Sequence, residues 1–121
     1  MKATTIIALL APLASVQATC YRSGHVWGPN FNTAMDAAAR LCNDGALSGS
    51  FNANGVKSGC QTLENNVRAQ YQVTYIGGGT SVLSPEECKF RLQNEIGGCE
   101  HGGQSDVGSW RFSSDPNSGF C

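Results

Sequence analysis

The clearest periodicity in the chain lies between Val67 and Tyr75, where Val67, Ala69, Tyr71, Val73 and Tyr75 alternate strictly with Arg68, Gln70, Gln72 and Thr74. A period of two predicts a strand with one buried and one wet face, and so an antiparallel sheet. Gly77-Gly78-Gly79 reads as a turn, after which residues 80–83 are long enough to return as a short partner strand. The pattern then changes period. Ser84-Pro85-Glu86-Glu87 is a helix start with a serine cap, proline at the first helical position and glutamate three residues after the cap. Cys88, Leu92 and Ile96 recur every four residues on its buried face, and Gly97-Gly98 ends it.

A second helix is predicted over residues 34–42. Asn32 or Thr33 can cap it, and Met35, Ala38, Leu41 and Cys42 share one apolar face before Asn43-Asp44-Gly45 breaks the run. Elsewhere the periodicity is weak. Residues 20–31 read as an irregular or short-strand segment rich in aromatics, and residues 46–59 as loop or short strand anchored by Leu47, Phe51 and Val56. In the tail, residues 109–112 form one compact strand, and Asp115-Pro116-Asn117-Ser118-Gly119 has the composition of a turn. The fold class that follows is α+β: a small disulfide-stapled domain with two helices packed on a small antiparallel sheet.

Composition refines this picture at the N-terminus. Lys2, the apolar run 6–11 and the small-x-small tripeptide Val16-Gln17-Ala18 are the parts of a secretory signal peptide. The expected leader is residues 1–18, with residues 19–121 as the mature domain, secreted and extracellular. The apolar run is too short to cross a bilayer, so no membrane insertion is expected. The mature segment keeps all six cysteines, Cys20, Cys42, Cys60, Cys88, Cys99 and Cys121. An even number in a short exported chain implies three disulfides. No two cysteines stand close enough for a typical zinc pair, so neither a metal nor another cofactor is expected. The helix over 85–96 would hold Cys88 and Cys99 about 16 Å apart, beyond disulfide reach, which removes the three connectivities containing that pair. The other twelve stay open.

Charge excludes one class of partner. Eight basic and nine acidic side chains give a net charge of −1. Without a basic stripe, nucleic acid is not an expected partner. No Asn-x-Ser/Thr sequon is present.

Candidate chemistry is sparse. His25 and His101 sit in glycine-rich segments and, with Glu100 or Glu64, could serve a small hydrolase as acid and base, but two loop histidines are the commoner outcome. No nucleophile elbow surrounds Ser50 or Ser109. Non-catalytic binding fits better. Trp27 and Trp110 stand in polar, glycine-rich contexts, and Arg111, Asp115 and Asn117 supply donors and acceptors beside them. Aromatic planes and short polar groups complement the C–H faces and hydroxyl rings of sugars. Tyr71 and Tyr75 share the apolar face of their strand and are expected in the core. Arg111 should point opposite to Trp110 and Phe112 and be the one charged donor on the open face.

The motifs taken together resemble the Y3-like family of fungal secreted glycan-binding proteins. The likeness rests on Cys20-Tyr21-x-x-Gly24-x-x-Trp27, Leu41-Cys42, Leu83-Ser84-x-x-Glu87-Cys88 and Gly98-Cys99-x-x-Gly102-Gly103-Gln104-Ser105. It continues through Trp110-x-Phe112-x-x-Asp115-Pro116-Asn117-x-Gly119-x-Cys121. The resemblance implies a lectin-like α+β domain whose partners are glycans or glycoproteins, recognised through fucose or N-acetylgalactosamine without catalysis. Association into a homodimer is compatible with it. Two other readings are a cysteine-rich toxin or effector acting on a membrane or protein receptor, and a small secreted hydrolase.

Overall fold

A computed structural model describes residues 16–121. The chain runs β1 (Val16–Cys20), a short 3-10 turn (Gly28–Asn30), α1 (Phe31–Asn43), β2 (Gly49–Asn52), β3 (Val56–Thr62), β4 (Val67–Tyr75), β5 (Thr80–Leu83), α2 (Pro85–Gly97), β6 (Gly103–Val107) and β7 (Trp110–Ser118). Five strands form one antiparallel sheet in the order β1-β6-β7-β4-β3, and β2 pairs with β5 in a separate two-stranded sheet. The domain is α+β and disulfide-stapled, as its periodicities imply. The expected leader lies outside the described residues up to residue 15, and its last three residues, Val16 to Ala18, belong to β1.

The two helices pack on each other and cover one face of the large sheet. Cys88, Leu92 and Ile96 of α2 are buried, as are Ala34, Ala37, Ala38, Leu41 and Cys42 of α1. They meet Ala69, Tyr71, Val73 and Phe112 from the inner sheet face. Two polar contacts fix the layers: Tyr71 Oη donates to Ala34 O at 2.6 Å, and Ser114 Oγ to Leu92 O at 2.9 Å. Ser84 caps α2 as its sequence implies, its hydroxyl accepting from Glu87 N at 3.1 Å. At α1 the start differs. The helix begins at Phe31 with Asn30 at the cap position, and Asn32 and Thr33 lie inside it. Asn30 spends its amide on Glu64 N and Glu64 O, at 3.0 and 3.1 Å, tying the helix start to the β3–β4 loop.

Two strand expectations are corrected. Residues 80–83 form a strand, but it pairs with β2 rather than with β4, whose two edges are already taken by β3 and β7. The segment 115–119 is not a turn: β7 runs straight through Asp115, Pro116 and Asn117. Proline is tolerated there because of register. Ile76 N donates to Ser109 O, which sets the alternation along β4–β7 and turns position 116 away from β4. On the other side β6 pairs only as far as Ser114, so the missing N–H of Pro116 faces no strand. Gly102 is the residue that lets the chain enter β6 this close to β7: it holds φ +80°, and a Cβ would strike Ser114 O and come within 2.8 Å of Pro116 Cδ.

Three disulfides close the structure: Cys20–Cys99, Cys42–Cys88 and Cys60–Cys121. None is the excluded Cys88–Cys99 pair. The second joins α1 to α2 in the core, and the third ties β3 to the residues after β7. Among the described residues no helix is long and apolar enough to cross a membrane.

Candidate functional site

The face of the large sheet turned away from the helices is the polar half of the same alternation. From β4 it takes Arg68, Gln70, Gln72 and Thr74, and from β7 Arg111, Ser113, Asp115 and Asn117. Register turns these positions into rows across the strands. One row is Gln104–Ser113–Gln72–Ser58, from β6 through β7 and β4 to β3. Beside it Asp115 stands next to Gln70, and one step further Asn117 stands next to Arg68. On the other flank lie Asp106, Arg111 and Thr74.

Tyr21 completes the surface. Its backbone N–H extends the β1–β6 pairing by bonding Gly102 O at 2.9 Å, and its hydroxyl lies 3.0 Å from Ser113 Oγ. Tyr21, Ser58, Gln70, Gln72, Gln104, Ser113 and Asp115 line an open groove of about 310 Å³. Its chemistry is amide, hydroxyl and one carboxyl, with one aromatic ring at the side.

Electrostatics divides this face in two. Arg111 is bidentate to Asp106, with Nε and Nη2 at 2.7 and 2.9 Å from the two carboxylate oxygens. These bonds hold the Asp106 carboxyl below its usual range and push the guanidinium further up. The expected role of Arg111 as the one charged donor is therefore corrected: Asp106 occupies its fork, and Arg68 is a second cation on the same face, bonded to Ser118 O. Among the described residues no cation is paired with Asp115. Burial pushes its carboxyl up, against the lowering effect of the Asn117 amide at 3.2 Å. Asn117 also donates to Gln70 Oε1, so the amides are held in fixed directions. Gln104 has no side-chain partner among the described residues and is free to meet a ligand.

Of the residues singled out from the sequence, Arg111, Asp115 and Asn117 share this face, and the two tryptophans do not. Trp27 is 2 % exposed, and its indole N–H is spent on Cys99 O at 3.0 Å. With its ring packed in the core it has no face to offer a ligand. Trp110 lies at the end of the inner face, edge-on to Phe51 at 4.9 Å and tilted against Tyr75 at 4.8 Å. Both tyrosines expected in the core, Tyr71 and Tyr75, are there.

Selection by residue type favours aromatics, Tyr21 among them, and passes over Gln104, Ser113 and the pair Gln70 and Gln72. The signal for the glutamines was the alternation itself, since the polar half of a strand is a surface as much as its apolar half is a core. Gln104 and Ser113 needed the register.

The histidines meet through backbone rather than ring to ring. His101 Nδ1 lies 3.1 Å from Gly24 O and 3.3 Å from His25 O, while His25 Nε2 is 2.7 Å from Ser118 Oγ. Glu100 approaches His101 Nε2 at 3.8 Å. Each ring thus braces a loop. Among the described residues no group of acidic, histidine or cysteine side chains is arranged to hold a metal ion. Comparison with protein-family models and with curated proteins finds no match for this chain.

Proposed function

We propose that this chain is a secreted carbohydrate-binding protein that takes fucosylated or N-acetylgalactosamine-containing glycans on the outer face of its large sheet and does not alter them. The observation that carries the reading is the Gln104–Ser113–Gln72–Ser58 row, set in an open groove beside Tyr21 and Asp115. Amide side chains both donate and accept, which suits sugar hydroxyls and the acetamido group alike. Tyr21 offers a ring for a sugar's C–H face, and strand-borne side chains need little ordering on binding. Three disulfides suit an oxidising, extracellular setting. The sequence resemblance points to the same class of ligand.

The test is a glycan array probed with oxidised 19–121 protein beside Gln72→Ala and Tyr21→Ala. Selective binding that both variants lose while their melting temperatures stay unchanged supports the reading. A blank array from folded protein sinks it for the glycans tested. Cell lysis that free sugar does not block would favour the toxin or effector reading instead, and turnover of RNA or chitin lost in His101→Ala would favour the hydrolase.

A further inference from the structure

Glu95 is the one charged side chain buried among the described residues, at 4 % exposure. It projects from α2 toward β6, where Ser105 Oγ donates to its carboxylate. Among the described residues a hydroxyl is its only hydrogen-bond partner. Burial pushes the carboxyl up, and a buried carboxylate without a cation is an expensive arrangement. The cation closest along its own helix, Arg91, is taken by Glu87 at 2.5 Å. Asn94 and the Cys20–Cys99 disulfide complete the surroundings from α2 and β1, and Asp106, the charged residue next on β6, is bound to Arg111 on the other side of the sheet.

Glu95 opens on a groove of about 250 Å³ that it shares with Ala18, Cys20, Ser105, Val107 and Arg91, whose guanidinium is held by Glu87. The peptide bond expected to be cut during export, Ala18–Thr19, crosses this groove. Ala18 pairs with Ser105, the residue that holds Glu95. Gly103 shows how near the carboxylate comes to the strand: a Cβ there would sit 2.8 Å from Thr19 O and 2.9 Å from Glu95 Oε1. The Thr19 carbonyl oxygen and the Glu95 carboxylate therefore flank Gly103 with no room for a methyl group between them.

We propose that the groove at Glu95 is a binding site for the α-ammonium group created on Thr19 when the leader is removed. Cleavage supplies the missing counter-ion where the buried carboxylate needs it, and removal of Ala18 vacates the space the ammonium turns into. The proposal rests on the expected cut after Ala18 and is independent of the glycan-binding reading. Processing thus shortens β1 to Thr19 and Cys20 and anchors the new end of the β1–β6 edge.

The experiment has two arms. First, the N-terminus of the exported protein is sequenced; Thr19 is expected, and any other first residue overturns the proposal. Second, the oxidised 19–121 protein is compared with the same protein acetylated at its α-amine, in the native and Glu95→Gln backgrounds. Acetylation should lower the melting temperature by roughly 5–10 °C in the native background and by much less in Glu95→Gln. Equal losses in both, or none in either, overturn the pairing even if Thr19 is the true N-terminus. Should Glu95→Gln fail to fold, titration of the Thr19 α-amine by NMR decides. A pKa above the ordinary range of about 7.7–8.0 supports the pair, and an unshifted value overturns it.

Discussion

The two faces of the large sheet are built from the same strands, and they do opposite work. On the inner face Ala69, Tyr71, Val73 and Phe112 are buried against the helices, and the one polar side-chain atom among them, Tyr71 Oη, is bonded to Ala34 O. On the outer face Gln70 and Asp115 are bonded to Asn117, Ser113 to Tyr21 and Gln72 to Ser58 at 3.5 Å, and the groove between them stays open. The comparison shows that one residue of register separates a packed face from an open polar one, the face on which binding is proposed. A slip of one position in β4 would carry Gln70 and Gln72 into the core and Tyr71 into water.

That division is open to attack by mutation, and the largest effect belongs to the inner face. Phe112→Ala should lower unfolding free energy by about 3–5 kcal/mol in urea denaturation. Glycan binding per folded molecule should be unchanged. Replacing both Cys42 and Cys88 by serine removes the crosslink between the helices, and it should cost about 2–5 kcal/mol by the same measurement. The outer groove should again be intact.

Tyr71→Phe sharpens the comparison, because its hydroxyl serves only the inner layer. Loss of its bond to Ala34 O should cost about 1 kcal/mol. Gln72→Ala and Gln104→Ala should do the reverse. Their stability should stay within about 0.5 kcal/mol of the parent, while glycan affinity measured by calorimetry falls at least roughly tenfold. A large loss of stability in either would break the separation of the two faces.

The subtlest test is pH. The folded-state pKa of Asp115 is raised by burial, so the folded protein takes up this proton at a higher pH than the unfolded chain does. Its contribution to stability therefore grows as pH falls through the raised value, and is complete below the ordinary carboxyl range. Binding through the carboxylate runs the other way and should fade over the same window. Asp115→Asn should flatten both trends. Asp106 has the opposite sign: its lowered pKa gives stability above the unfolded value that is lost as pH falls through the folded one.

Legibility followed periodicity. β4 and α2 could be read residue by residue, because Val67–Tyr75 alternates cleanly and Ser84-Pro85 with Gly97-Gly98 brackets a helix. β7 could not, because Pro116 and the Asp-Pro-Asn-Ser-Gly composition mimic a turn, and only the early end of β6 makes a strand tolerable there. The partner of β5 was hidden for a related reason: a glycine turn suggests a hairpin but does not say which edges are already occupied. For the candidate site, residue type alone favoured the tryptophans, yet a large aromatic in a glycine-rich segment is also what a small core needs to fill space. The amides that line the groove carry no distinctive motif. They become a site only when four strands are set side by side.

The crosslink pattern also bears on how the chain is made. Cys42–Cys88 is nested within Cys20–Cys99, whereas Cys60–Cys121 crosses both. As the chain is made from its N-terminus, Cys20, Cys42 and Cys60 emerge before any of their native partners exists. Pairing in order of appearance would join residues that lie apart in the native sheet and helices. The native set is therefore reached either by keeping the early thiols reduced until their partners appear or by reshuffling wrong pairs through thiol–disulfide exchange.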